Sequence, residues 1–167
     1  GTGVVTASSD ATLRLWTLKG RTRKRLVGHK SWVTSVSVSK QGWLASASKD
    51  RTVRMWNLAT HQLHKVIPGL SWQETVAFSP KARYLVSAGD DRLLRLMNGR
   101  SGKTIQVLQG HNASVTSVAF TSNGRWLASG SKDRTLRIWD VEKRKLIHTL
   151  EGHDKSITSV AFSPNSQ

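Results

Sequence analysis

The sequence contains no cysteine. That excludes a disulfide framework, a thiolate zinc site and a cysteine nucleophile, so stability has to come from packing. No apolar run approaches the roughly 18 to 20 residues that a membrane-spanning helix needs, and the first residues lack the order of a secretion signal. These absences give the expectation of a soluble protein of the cytoplasm. Acidic residues are also scarce: 10 Asp and Glu stand against 26 Lys and Arg, a net charge of +16. Such a balance bears on partners and solubility, since net charge does not select a fold. What is present suffices for a core, with 37% of the 167 residues hydrophobic in a chain of single-domain size.

The strongest positive signal is internal repetition, which has to be sought before any single motif is trusted. The segments TASSDATLRLWT, SASKDRTVRMWN, SAGDDRLLRLMN and SGSKDRTLRIWD begin at residues 6, 46, 87 and 129. They share Asp10, Asp50, Asp91 and Asp133, each followed six residues later by Trp16, Trp56, Met97 or Trp139. A second landmark, Gly28-His29, Gly69-Leu70, Gly110-His111 and Gly152-His153, recurs at intervals of 41, 41 and 42 residues.

Within one period the patterning is that of short strands. In the third unit, β-branched and aromatic runs at 114–120, 126–131, 135–139 and 145–150 are separated by Asn123-Gly124, Lys132-Asp133-Arg134 and Glu142-Lys143-Arg144. Such runs bounded by turn residues predict strands and leave no room for a helix. The period, the Gly-His pair and the later Trp-Asp pair resemble the WD-repeat family over essentially the whole chain. Only Trp139-Asp140 keeps the literal pair. The expected fold is therefore all-β, made of WD-type β-propeller blades with four antiparallel strands each. The expected units are 1–27 (strands two to four of a blade), 28–68 (a blade), 69–109 (a degenerate blade), 110–151 (a blade) and 152–167 (the first strand of a closing blade).

Four blades closing alone would require roughly 90° of turn per blade against about 45° in an eight-bladed ring. The ring is thus expected to be incomplete or oligomer-completed: a homodimer completing an eight-bladed ring, or a fragment of a larger propeller. The resemblance implies a buried hydrogen-bond tetrad in each blade. The matching sets are His29, Ser46, Asp50, Trp56 and His111, Ser129, Asp133, Trp139. In a closed ring His153 would join Thr6, Asp10 and Trp16 across the termini.

Ser, His and Asp also invite a catalytic reading. Their recurrence in every blade, together with a Trp that a triad does not need and the lack of a nucleophile elbow, argues for structure instead. Gly99-Arg100-Ser101-Gly102-Lys103-Thr104 ends like a phosphate-binding loop, but Met97 occupies the place of its first glycine and no helix follows, which predicts an ordinary turn. His61 and His64 are an odd number of residues apart, so a strand sends them to opposite faces. No enzyme activity, cofactor or metal is expected.

Propellers of this family often bind through the face carrying the loops between blades and between the second and third strands. By position that face receives Lys30, Trp32, Lys49, Trp72, Asp90, Ser114 and Lys132. Trp32 and Trp72 align with one another where the other units place Ser, and aromatic residues beside cations are common interface anchors. The expected function is a non-catalytic protein–protein interaction scaffold with a rigid, basic surface and an acidic partner. The alternative is electrostatic binding of nucleic acid or an anionic membrane. The densest basic run, Lys19, Arg21, Arg23, Lys24 and Arg25, falls on an outermost strand, where charge also deters unwanted sheet pairing.

Overall fold

A computed structural model describes residues 3–164. Among them there are fifteen strands and no helix, and hence no helix long and apolar enough to cross a membrane. The first sheet comprises β1 (Gly3–Ala7), β2 (Leu13–Thr17) and β3 (Thr22–Leu26). The second comprises β4 (Val33–Val38), β5 (Trp43–Ser48), β6 (Thr52–Asn57) and β7 (Gln62–Pro68). The third holds β8 (Gln73–Phe78), β9 (Tyr84–Gly89), β10 (Leu94–Asn98) and β11 (Thr104–Leu108). The fourth holds β12 (Val115–Phe120), β13 (Trp126–Ser131), β14 (Leu136–Asp140) and β15 (Lys145–Leu150). Each sheet is an antiparallel meander in chain order, and residues 1–2 and 165–167 of the outer units lie outside the described residues.

The hairpin turns are built alike because each needs a left-handed residue to reverse the chain. Between the second and third strands that residue is Ala11, Arg51, Arg92 or Arg134, with φ of 64°, 68°, 68° and 71°. The preceding Asp holds the turn: Asp50 Oδ1 accepts from the Thr52 amide and hydroxyl, and Asp133 Oδ1 from those of Thr135. Gly99–Thr104 forms the turn between β10 and β11, with Asn98 Oδ1 accepting from the Arg100 and Ser101 amides. It carries no phosphate-loop geometry.

A bulge in each complete first strand has a structural consequence. The register slips past Thr34, Glu74 and Thr116, which turns these side chains out of the ladder. Thr34 Oγ1 then donates to Gln73 O in the next sheet, 2.7 Å away, and Thr116 Oγ1 donates to Ile157 O in the same way. Ser35 and Ser37 add to the first junction by accepting from the Val76 and Phe78 amides.

The hydrophobic core lies between the sheets. One cluster joins Leu13, Leu15 and Leu26 of the first sheet to Val33, Leu44 and Trp56 of the second. A second joins Ala45, Val53, Met55 and Ile67 to Val76, Phe78, Leu85 and Met97. The third joins Val86, Leu94, Leu96 and Leu108 to Val115, Leu127 and Trp139. Each fully buried Leu or Met contributes about 1.5–3 kcal/mol through removal from water, and it does so only because a neighbouring sheet covers it.

One expectation changes at the end of the stack. The 157–162 segment forms no ladder, because no second strand lies beside it. It is nevertheless held against the fourth sheet by Ile157 N to Ser131 O, by Thr116, and by Val160 N to Ser117 Oγ. His153, expected to join Thr6, Asp10 and Trp16 in a closed ring, is exposed. Of the basic run, Arg23, Lys24 and Arg25 sit exposed on β3, while Lys19 and Arg21 lie in the turn before it.

A non-glycine residue in the left-handed region costs roughly 1–2 kcal/mol, part of which glycine returns as extra freedom of the unfolded chain. Arg134→Gly is therefore expected to stabilise the fold by about 0.5–1 kcal/mol in a denaturant titration. An unchanged or lower midpoint would contradict this account of the turn.

Candidate functional site

Two sets of residues have to be placed: the polar tetrads inside the blades and the side chains on the loop face. The Gly-His pair precedes the first strand, and its glycine lets the histidine enter the blade. Gly28 and Gly110 have φ of 155° and 157°, and a Cβ at either would collide with the guanidinium of Arg54 or Arg137. Behind Gly110, His111 Nδ1 lies 2.8 Å from Asp133 Oδ2, and its Nε2 lies 2.8 Å from Ser129 Oγ. Trp139 Nε1–H donates to the same hydroxyl at 2.8 Å. The second blade repeats the set: His29 to Asp50 and to Ser46 are both 2.7 Å, and Trp56 Nε1–H donates to Ser46 Oγ at 3.0 Å.

With a neutral imidazole, Nδ1–H donates to the carboxylate and Nε2 accepts the serine proton, while the indole N–H donates to a lone pair of the serine oxygen. Burial pushes the pKa of both histidines below the ordinary range, against the pull of their aspartates. Burial alone would raise Asp50. Hydrogen bonds from the Thr52 hydroxyl, the Lys30 amide and His29 outweigh it and bring Asp50 down to about 2. Asp133 is lowered by the same balance, with Thr135, Asn112 and His111 outweighing its burial.

The connectivity Ser–His–Asp is that of a nucleophilic triad, but the access is not. Ser46 and Ser129 are completely buried, and each hydroxyl oxygen is capped by an indole. Neither of two surface hollows, near Tyr84 and near Trp72, is lined by a tetrad residue. The other two units depart from the set. In the first, Trp16 Nε1–H donates to Thr6 Oγ1 and Thr12 caps Asp10, but no imidazole joins them. In the third, Leu70 stands exposed at the His position and Met97 is buried apolar. Arg95 takes over the aspartate, its Nη2 lying 2.5 Å from Asp91 Oδ2. Among the described residues there is no cluster of three or more metal-ligating side chains, and His64 stacks on Trp43 at 4.7 Å while His61 lies in the neighbouring turn.

The loop face is assembled by one backbone bond repeated in three blades. Lys49 N donates to Trp32 O, Asp90 N to Trp72 O, and Lys132 N to Ser114 O. Residue pairs that are equivalent in sequence thereby become neighbours in space. Trp32 and Trp72, from adjacent blades, are about half exposed, and the Lys49 ammonium lies 4.3 Å from one ring centroid and 5.0 Å from the other. A cation held over two indole faces gains about 0.5–1 kcal/mol per contact at an exposed site. Lys30 and Lys132 are exposed on this face. Asp90 and Ser114, also expected to face a partner, instead bond each other at 2.6 Å, and Ser114 is buried.

Sequence reasoning missed Arg51, Leu70 and Ser71, which with Trp72 and Asp90 line a shallow hollow beside Lys49. The available signal was Leu70 itself, an apolar residue in the slot where the other units place His.

The tetrads carry two testable consequences. His111→Ala leaves Ser129 and Asp133 short of a partner in a buried setting and is expected to cost about 2–4 kcal/mol in denaturant titration. For pH, the folded histidines bind a proton less readily than the value of 6.5 expected when unfolded, so the unfolded state takes up more protons as pH falls below 6.5. Stability is thus full above that pH and declines below it. Asp50 adds a second loss as pH falls from 3.8 toward about 2. Denaturation midpoints across this range should show both steps, and His29→Gln with His111→Gln should remove the first; a profile flat through the first step would overturn the assignment of neutral buried imidazoles.

Comparison with family models matches the WD domain, G-beta repeat, at residues 20–57, 64–98, 102–140 and 144–167. A search of curated proteins returns no match. With blades, buried tetrads and four repeat matches spanning most of its length, the chain belongs to the WD-repeat family.

Proposed function

We propose that this chain is a non-catalytic scaffold of the cytoplasm that grips an acidic segment of a protein partner on the face bearing Trp32, Lys49 and Trp72. The observation that carries this reading is the Lys49 ammonium lying between two half-exposed indoles supplied by adjacent blades. A partner carboxylate reaching Lys49 would be flanked by apolar ring surface, with Leu70 exposed beside it. That combination of a charge and desolvating aromatics is typical of interface hot spots.

Charge on the same face favours an acidic partner. Arg51 lines the hollow beside Trp72 and Lys30 and Lys132 are exposed, whereas the loop acids are already engaged: Asp50 by Lys30 N, His29 and Thr52, Asp90 by Ser114, and Asp91 by Arg95. The net charge of +16 supports a second reading, electrostatic binding of nucleic acid or anionic membrane. That mode would not need the indoles and would weaken steeply with salt, by about 0.9 log unit of affinity per phosphate contacted for each log unit of salt.

Replacing both Trp32 and Trp72 with Ala is expected to leave the unfolding midpoint within about 0.5 kcal/mol of the parent, because neither ring is core. It should lower affinity for captured protein partners by a hundredfold or more, as for loss of hot-spot anchors. Lys49→Glu should do the same. Capture of the parent's full partner set by both variants would sink the proposed face. Binding of random-sequence duplex DNA that persists in the variants and vanishes with salt would favour the second reading.

A further inference from the structure

The end of the blades opposite the loop face carries the turns between first and second strands and between third and fourth. Where the third and fourth sheets meet there, a hollow of about 320 Å³ opens between them. Pro80, Lys81 and Arg83 of the β8–β9 turn line it from one sheet, and Gly124 and Arg125 of the β12–β13 turn from the other. Glu142 of the β14–β15 turn completes it. Both sheets have all four strands, so the hollow is a feature of an internal junction.

Two of its cations are additions to the repeat. The β4–β5 turn closes with Ser39 N donating to Trp43 O and Gly42 N to Ser39 O. The β8–β9 turn keeps the same pair of bonds between Ser79, Tyr84 and Ala82, and the β12–β13 turn keeps it between Thr121, Trp126 and Gly124. Each of these two turns holds one more residue before the aromatic ring, and in both it is an arginine, Arg83 or Arg125. Arg83 Cζ lies 5.2 Å from the Tyr84 ring centroid and Arg125 Cζ 4.7 Å from that of Trp126. A guanidinium lying over a ring keeps its in-plane N–H donors free for an anion.

The neighbouring junction is bridged, because Gln41 Nε2 donates to Lys81 O across the second and third sheets. At the equivalent place Asn123 folds into its own turn, its Oδ1 accepting from the Thr121 hydroxyl and the Arg125 amide. The space that such a side chain would cross stays open as the hollow. Gly124, with φ of 74°, lets the two turns approach, since a Cβ there would lie 3.3 Å from Pro80 Cδ.

The charges around the hollow do not balance. Lys81, Arg83 and Arg125 stand against one carboxylate, that of Glu142, which leaves an excess of two positive charges. Glu142 Oε1 is 3.7 Å from Arg83 Nη1, beyond hydrogen-bond length, and the two side chains are 72% and 70% exposed. An exposed pair of that kind contributes little. Among the described residues neither guanidinium donates a hydrogen bond.

We infer that this hollow binds a phosphate monoester between the guanidiniums of Arg83 and Arg125, with Lys81 beside them and Glu142 as the group displaced. Near neutral pH a phosphate monoester carries about −1.5 to −2 charge, which matches the excess, whereas a carboxylate would leave half of it. Its three terminal oxygens accept from two arginine forks at once, one from each sheet. The volume is at the low end for ligand pockets and suits a phosphoryl group with the few atoms that carry it. A free phosphorylated metabolite and a phosphorylated peptide side chain present this same group. The site lies at the other end of the strands from Trp32, Lys49 and Trp72, so it operates independently of the partner face.

Calorimetric titration of the whole chain tests the site, using free phosphoserine, a short capped Gly-Ser peptide carrying one phosphoserine, and the same peptide unphosphorylated. Both phosphorylated probes are expected to bind and the unphosphorylated peptide is not. Equal affinity of the two identifies a free ester as the ligand, and tighter binding of the peptide identifies a phosphorylated side chain. Arg83→Ala and Arg125→Ala should each weaken binding about tenfold, the low end for hydrogen bonds to a charged group. Glu142→Gln should strengthen it. All three residues are exposed, so the unfolding midpoints should stay at the parent value.

Lys24→Ala with Arg25→Ala removes the same charge from the exposed β3 as the two arginine variants together, and should leave binding unchanged, as should Trp32→Ala with Trp72→Ala. Failure of both phosphorylated probes to bind would overturn the inference. So would a loss on Lys24→Ala with Arg25→Ala equal to that of the combined Arg83→Ala and Arg125→Ala variant, or weaker binding by Glu142→Gln.

Discussion

Every sheet in this protein depends on the next one for the burial of its apolar face. A four-stranded meander has two faces, and a chain this short cannot fold one sheet over both. The three hydrophobic clusters therefore lie at the three sheet junctions, each drawing residues from both neighbours. The remaining features serve to keep that junction regular. The bulge at Thr34 turns a hydroxyl toward the adjacent sheet and the one at Thr116 turns it toward the 157–162 segment, while left-handed residues close the hairpin turns.

The buried tetrads solve a second problem created by the same packing. Once a neighbouring sheet covers Trp56 or Trp139, the indole N–H loses its access to water and must find a protein acceptor. Serine accepts, histidine relays and the turn aspartate ends the chain. The third unit shows that the tetrad is not needed where the indole is absent. With Met97 in place of the indole there is no N–H to satisfy, the histidine becomes dispensable, and Arg95 neutralises the aspartate directly.

Because the tetrads and junctions settle the frame, the loop face is free to vary. The same backbone bond places Trp32, Trp72 and Ser114 at equivalent points, and likewise Lys49, Asp90 and Lys132. Changing those side chains alters the surface without altering the fold. In two adjacent blades they build an aromatic pair around one ammonium, and in the next they pair Asp90 with Ser114. Individual recognition character thus arises from residues that the repeat does not need.

The type and approximate bounds of the fifteen strands among the described residues were legible in the sequence, because period-two patterning, turn residues and a fixed repeat are local properties. Runs expected at 126–131 and 145–150 are β13 and β15 as observed. The tetrad memberships of His29 and His111 were implied by the family resemblance, through the matching Gly-His and Trp positions. Tertiary structure alone decided that Lys49 sits between Trp32 and Trp72, that Ser114 is buried against Asp90, and that Arg95 closes on Asp91. It also decided that residues 157–162, identical in pattern to a strand, form no ladder, since a strand exists only where a second backbone offers hydrogen bonds. Local chain chemistry determines what each segment is able to become, while contacts between blades, which no linear spacing encodes, determine which side chains meet.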